Sequence, residues 1–136
     1  MRINEIDSFL YHFTTISDLD LIIQSDRLGK DKISFSSDPM HDFRKYAEAT
    51  IVVPKSSLQS FEKSKGDGHK MFKTVLQDEQ EYISPPLYPA HQYISQIWIN
   101  TRPHNRKKST DWSEIAMYVI SYTQKYQIEL LEFPFY

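Results

Sequence analysis

The residues best suited to chemistry are Glu79 and Glu81, two carboxylates at the start of a short apolar strand that runs to Ser84. Side chains two residues apart on a strand point to the same face of a sheet, so both carboxylates face one side. Such a pair can stabilise positive charge and accept a proton from a nucleophile. Taken alone, such a pair is more often two solvated residues on an edge strand.

Two earlier segments place polar side chains inside apolar strands. His12 lies in a strand predicted over residues 9–14, and neutral imidazole donates from one ring nitrogen and accepts at the other, which suits the binding of hydroxyl groups. A lone His in such a strand is more often a core residue held by one backbone bond. In the next strand Ser34 and Ser36 alternate with apolar residues, so they share one face, either lining a cleft or facing solvent.

The elements that must position these residues follow from hydrophobic periodicity, which predicts the order β-α-β-β-β-β-α-β of the α+β class. Strands are predicted over residues 9–14, 32–37, 49–53, 79–84, 93–99 and 127–133, and helices from 16 to about 25 and over 111–126. Thr14 or Thr15 is the expected N-cap of the first helix, and Gly29 its expected C-terminal residue. Residues 62–73 are polar and contain two glycines, which predicts a loop.

Composition indicates one soluble domain over residues 1–136, with net charge −2, 14% aromatic residues, only three Gly and no Cys. This mix favours an aromatic-rich mixed sheet and predicts no general affinity for nucleic acid or membrane. The lack of Cys excludes disulfides, and no signal peptide or apolar run of transmembrane length is visible, so we expect the cytoplasm. No histidine pair has metal-ligand spacing, so no metal is expected.

In order and spacing, the three polar segments resemble the three motif strands of the mono-ADP-ribosyltransferase fold, which binds NAD and breaks its nicotinamide–ribose bond. Tyr11–Thr14 resembles the Tyr-His-x-Thr strand of the diphtheria-toxin-like and poly-ADP-ribosyltransferase branch. Ser34–Ser36 matches the pattern of the middle Ser-Thr-Ser motif, and Glu79–Glu81 the E-x-E motif. Residues 49–58 and 78–99 are also similar to a group of small phage- and bacteria-borne proteins.

The resemblance implies a split, mixed or antiparallel sheet with flanking helices, with NAD as substrate and no metal. It implies that Glu81 is the catalytic carboxylate near the ribose, that Glu79 orients or deprotonates the incoming nucleophile, and that Ser36 braces the catalytic glutamate. The NAD-binding residues that it implies are His12, Thr14, Ser34, Ser37, Arg44 and Tyr46.

The expected function is therefore NAD-dependent mono-ADP-ribosylation of a host macromolecule by a phage or toxin-type effector, in the host cytoplasm if it is phage-encoded. Two alternatives stay open. One is a catalytically inactive transferase-like protein that acts by binding or inhibition and releases no nicotinamide. The other is an RNA 2′-phosphotransferase, which shares the fold and uses NAD but needs several Arg and His residues placed for phosphate.

The segment over residues 101–108 is basic, although the chain as a whole has a net charge of −2. Its cationic residues are Arg102, Arg106, Lys107 and Lys108. Such a run is usually a solvated loop. Its functional interpretation is that it steers an acidic macromolecular acceptor, nucleic acid or protein, toward the active site.

Overall fold

The computed structural model describes residues 8–39, 47–64, 81–101 and 111–133. Within these residues the elements are β1 (Phe9–Thr14), α1 (Ile16–Ser25), β2 (Ile33–Ser36), β3 (Ala49–Pro54), β4 (Glu62–Ser64), β5 (Glu81–Ser84), β6 (Gln96–Asn100), α2 (Trp112–Tyr126) and β7 (Glu129–Phe133). The strands form one sheet in the order β4-β5-β2-β1-β3-β6-β7. Neighbouring strands are antiparallel except β6 and β7, which are parallel. The predicted α+β class is confirmed.

Two predicted elements need correction. β4 lies within the segment predicted as a loop and pairs antiparallel with β5. The sequence did not predict this strand because its three residues are polar and show no apolar alternation. The strand predicted from Tyr93 begins only at Gln96, since Ala90–Gln92 form a 3₁₀ turn whose first carbonyl accepts hydrogen bonds from the N–H groups of Tyr93 and Ile94.

Helix α1 is fixed at both ends by side chains. Thr15 is its N-cap, as one of the two expected candidates, and its hydroxyl accepts a hydrogen bond from the Asp18 N–H. The buried carboxylate of Glu48 accepts a further bond of 2.7 Å from the Ile16 N–H, which satisfies another donor of the first turn. At the other end Asp26, not Gly29, takes the left-handed conformation, with φ of 54°. Gly29 also has a positive φ but lies in the loop that follows.

One hydrophobic core lies between the sheet and the two helices, and it includes Leu10, Phe35 and Ile51 from the sheet with Leu19 and Val119 from the helices. Because strand side chains alternate, the residues of β1 divide between two faces. Leu10, and with it His12 and Thr14, lie on the face that the helices cover. Tyr11 and Phe13 lie on the opposite face.

The carboxylate of Asp26 joins three parts of the fold. Oδ1 accepts bonds from the Tyr122 hydroxyl of α2 at 2.6 Å and from the His91 N–H at 3.0 Å, while Oδ2 lies 2.6 Å from His91 Nδ1. The His91 ring stacks on Tyr126 at 3.8 Å between centroids. Burial raises the pKa of Asp26, but the hydrogen bonds from Tyr122 and His91 outweigh it and hold the pKa below the usual 3.8.

The charge of Asp26 should therefore stabilise the fold in a pH-dependent way. Asp26→Asn keeps a residue that tolerates left-handed backbone but removes the negative charge. A carboxylate with a lowered folded pKa contributes stability above its unfolded pKa, about 3.9, and loses it as the pH falls through the folded pKa. We expect the variant to lose about 1.5–3 kcal/mol of unfolding free energy at pH 7, and this difference to shrink between about pH 5 and pH 2.

Urea unfolding curves recorded over this pH range measure the difference, with Asp31→Asn, at an exposed carboxylate, as the matched control. A difference between wild type and Asp26→Asn that does not change with pH would contradict a contribution from the charge.

Candidate active site

The three motif strands lie side by side near the middle of the sheet, in the order β5-β2-β1. Glu81 is directly opposite Ser36, and Ser36 is directly opposite Tyr11. Directly opposed residues of neighbouring strands point to the same face, so these three side chains form a row on the face away from the helices. The row brings the expected catalytic carboxylate and its bracing serine together.

Glu81 is buried, with 3% of its surface exposed, and Ser36 is 1% exposed. β5 lies between β4 and β2, so Glu81 is not a solvated residue on an edge strand. Burying a carboxylate costs free energy unless polar groups compensate it, as the Ile16 N–H does for Glu48, which is equally buried at 3%. Glu81 differs from Glu48 in its position, because among the described residues it is the buried carboxylate directly opposite Ser36.

The turn that follows β2 holds the Ser36 hydroxyl in place. The Asp38 N–H donates to Ser36 Oγ at 2.9 Å, which fixes the side chain against the chain that leaves the strand. Burial raises the pKa of Tyr11, and the nearby negative charge of Asp38 raises it further, so the Tyr11 phenol is a neutral hydrogen-bond donor at pH 7. The Tyr11 ring also packs against Trp98, with 5.5 Å between centroids.

His12 lies where β1 and β2 separate. β1 pairs with β3 over six residues but is in register with β2 at one pair, Tyr11 and Ser36. Beyond that pair the Ser34 carbonyl is 2.8 Å from His12 Nδ1. A carbonyl can only accept, so Nδ1 carries the hydrogen and Nε2 is left as the acceptor of the neutral ring. The imidazole thus links the two strands across the gap between them.

A pocket of about 430 Å³ opens beside His12, between α1 and the loop that follows it. Its wall includes His12 and Thr14 from β1, Asp18 from α1, and Arg27 and Lys30 from the loop. The Thr14 hydroxyl donates to Asp18 Oδ2 at 3.3 Å. The wall thus holds two cations and one carboxylate beside neutral hydroxyl and imidazole groups, and the two cations suit the anionic part of a ligand that also carries hydroxyls.

The expected site residues therefore occupy two sides of the β1–β2 gap. Ser34, Ser36 and Glu81 lie on the face of the sheet away from the helices, where Ser36 and Glu81 are buried, whereas His12 and Thr14 lie at the pocket on the helix side. Ser37 lies in the bend directly after β2. The other predicted residues lie outside the described part of the chain; they are Glu79, Arg44, Tyr46, Arg102, Arg106, Lys107 and Lys108.

Sequence reasoning missed Arg27 and Lys30 at the pocket, and Tyr11 opposite Ser36. The two cations flank Leu28 and Gly29, and a basic pair around a glycine just after a helix was a usable signal for an anion site. Tyr11 could have been found from the alternation of β1, because it faces the side opposite to the adjacent His12.

No protein-family model and no curated protein matches the chain. Among the described residues, no group of three or more His, Asp or Glu side chains is arranged to hold a metal ion. Neither α1 nor α2, the helices found in that part of the chain, is long and apolar enough to cross a membrane. The candidate active site must therefore be judged on its own geometry.

The protonation state of His12 provides a direct check of this geometry. Burial lowers the pKa of His12 below 6.5 and outweighs the Ser34 carbonyl and the Asp18 charge, both of which raise it. We expect ¹⁵N NMR of the imidazole to show a neutral ring at pH 7 with the proton on Nδ1, and a titration midpoint below 6.5. A proton on Nε2 would contradict the contact with Ser34, and a midpoint above 6.5 would contradict the dominant effect of burial on this ring.

Proposed function

We propose that this protein is an NAD-dependent mono-ADP-ribosyltransferase that acts in the cytoplasm on a macromolecular acceptor. The observation that carries the proposal is the buried Glu81 carboxylate directly opposite Ser36, on strands adjacent to β1. NAD cleavage passes through a ribose with oxocarbenium character, and a preorganised carboxylate stabilises that charge. The pocket at His12 supplies a second, independent support, since its cations suit the diphosphate of NAD.

In this proposal NAD spans the gap between β1 and β2. Arg27 and Lys30 bind the diphosphate, and His12 Nε2 accepts a hydrogen bond from a hydroxyl of the adenosine ribose. The nicotinamide ribose then lies beside Ser36 and Glu81. The two strands are in register at the Tyr11–Ser36 pair, and the contact between His12 and Ser34 joins them a second time on the pocket side.

The chemistry needs no metal. The bond between ribose C1′ and the nicotinamide nitrogen breaks, and its electron pair goes to the ring, which leaves as neutral nicotinamide. Glu81 holds the ribose 2′-hydroxyl and stabilises the positive charge on the sugar. An acceptor nucleophile forms the new bond to C1′ and loses its proton to a base, the task that the sequence predicts for Glu79.

Glu81→Gln keeps the shape of the side chain and removes its charge. Because the electrostatic stabilisation of the sugar is lost, nicotinamide release should fall by about 10²–10³-fold while NAD still binds. The measurement compares release by wild type and variant, with Glu62→Gln, at an exposed carboxylate of neighbouring β4, as the matched control. An unchanged rate of nicotinamide release in folded Glu81→Gln protein would contradict the assignment. If the wild type binds NAD but releases no nicotinamide, the protein is instead the catalytically inactive, transferase-like binding protein.

His12→Ala separates binding from chemistry. Loss of the hydrogen bonds of the imidazole should weaken NAD binding by about fivefold to 150-fold, the equivalent of about 1–3 kcal/mol. Calorimetric titration measures the affinity, and thermal unfolding of the same sample measures the effect on the core. A large loss of stability with unaltered affinity would make His12 a core residue only.

The pocket cations also favour a second candidate, an RNA 2′-phosphotransferase. Arg27, Lys30 and His12 together supply the two cations and the imidazole that a phosphate on a ribose would need. Incubation with NAD and an RNA that carries a 2′-phosphate distinguishes the two reactions. Loss of the phosphate from the RNA would establish the phosphotransferase, and nicotinamide release without dephosphorylation would favour transfer to another acceptor.

A further inference from the structure

Helix α2 carries an exposed stripe that the proposed reaction does not use. Glu114, Tyr118, Ser121 and Lys125 are spaced by four, three and four residues, which places them within one narrow line along the helix. Tyr118 is 66% exposed. We call these four residues the α2 stripe. An exposed aromatic side chain flanked by charges is a common anchor residue at protein interfaces.

The α2 stripe forms one wall of a groove of about 750 Å³ between α1 and α2. Ile23 of α1 and Ile115 and Tyr122 of α2 supply its apolar part. The bond from the Tyr122 hydroxyl to Asp26 at 2.6 Å ties the end of α1 to α2, so the groove has fixed walls. A preformed groove binds a partner at lower entropic cost.

The charges of the α2 stripe are self-complementary. Glu114 lies at one end and Lys125 at the other, eleven residues or about 16 Å apart along the helix. Lys125 Nζ is 5.2 Å from the centre of the adjacent Tyr126 ring, which keeps the cation at that end. If a second α2 packs antiparallel with the twofold axis between positions 119 and 120, each Glu114 meets a Lys125 and each Tyr118 meets a Ser121.

We propose that this surface binds a second copy of the chain, forming a twofold dimer through antiparallel α2 helices. Tyr118 of each copy packs over the small Ser121 of the other and enters its groove, as aromatic anchors do at protein interfaces. The two Glu114–Lys125 pairs set the direction of the helices. A twofold interface uses the same patch on both copies, and the opposite charges at the two ends of one stripe satisfy that requirement.

The dimer goes beyond the proposed enzymatic function and does not depend on it. The groove lies on the helix side of the sheet, whereas Ser36 and Glu81 lie on the opposite face. Failure of one proposal therefore leaves the other intact.

Sedimentation equilibrium of the full chain from about 1 µM to about 1 mM tests the proposal. Wild type should dimerise, and Glu114→Lys or Lys125→Glu alone should weaken the dimer by about tenfold to a hundredfold, because each places two like-charged pairs in the interface. An equimolar mixture of the two single variants should dimerise again, since every pair in the mixed dimer is then attractive. The double variant should also recover wild-type affinity.

Two further variants keep the test decisive. Asp31→Lys changes an exposed charge in the loop after α1 and should leave the dimer unchanged. Tyr118→Ala removes the aromatic anchor at an exposed position and should abolish dimerisation while thermal stability is retained. A wild type that stays monomeric over the whole range, or single charge variants that dimerise as wild type does, would overturn the proposal.

Discussion

β1 pairs with β3 along its whole length but is in register with β2 at a single residue pair. The candidate active site depends on this difference in pairing between the two sides of β1. If β1 and β2 were paired along their whole length, the Ser34 carbonyl would accept a backbone hydrogen bond of the sheet. Here the carbonyl accepts from His12 Nδ1 instead. The gap that results lies between the buried Glu81–Ser36 pair and the His12 pocket.

Two carboxylates, the buried Glu48 and the partly exposed Asp26, hold the elements around this gap. Glu48 accepts from the first turn of α1, and Asp26 accepts from the turn at His91 and from Tyr122 of α2. Each carboxylate thereby compensates its own burial with donors from a distant part of the chain. Since α1 forms a wall of the His12 pocket, these contacts position the loop that carries the pocket cations.

Much of the fold was predictable because its elements carry strong local patterns. β1, β3 and both helices have apolar spacing, caps or β-branched runs that identify them almost to the residue. β4 could not be predicted, since it is a strand only through its pairing with β5. Asp26 at the end of α1 was also unpredictable, because its left-handed conformation is stabilised by partners 65 and 96 residues away.

The active-site prediction depended on the order of three segments, and the structure places those segments on adjacent strands. The pairing of Glu81 with Ser36 follows from register, which a sequence alone does not give. The sequence alone also does not give the separation of His12 from Glu81. Strand alternation does, however, place Tyr11 and His12 on opposite faces of the sheet.

The proposed function requires NAD to contact both sides of the β1–β2 gap. A titration of NAD into ¹⁵N-labelled Glu81→Gln protein, in which NAD is expected to stay intact, follows this contact through the backbone amide signals. We expect saturable shifts on both sides of the gap, in residues 12–14 and 27–30 at the pocket and in residues 34–38 on the opposite side. Saturable shifts confined to one side, or none at millimolar NAD, would contradict it.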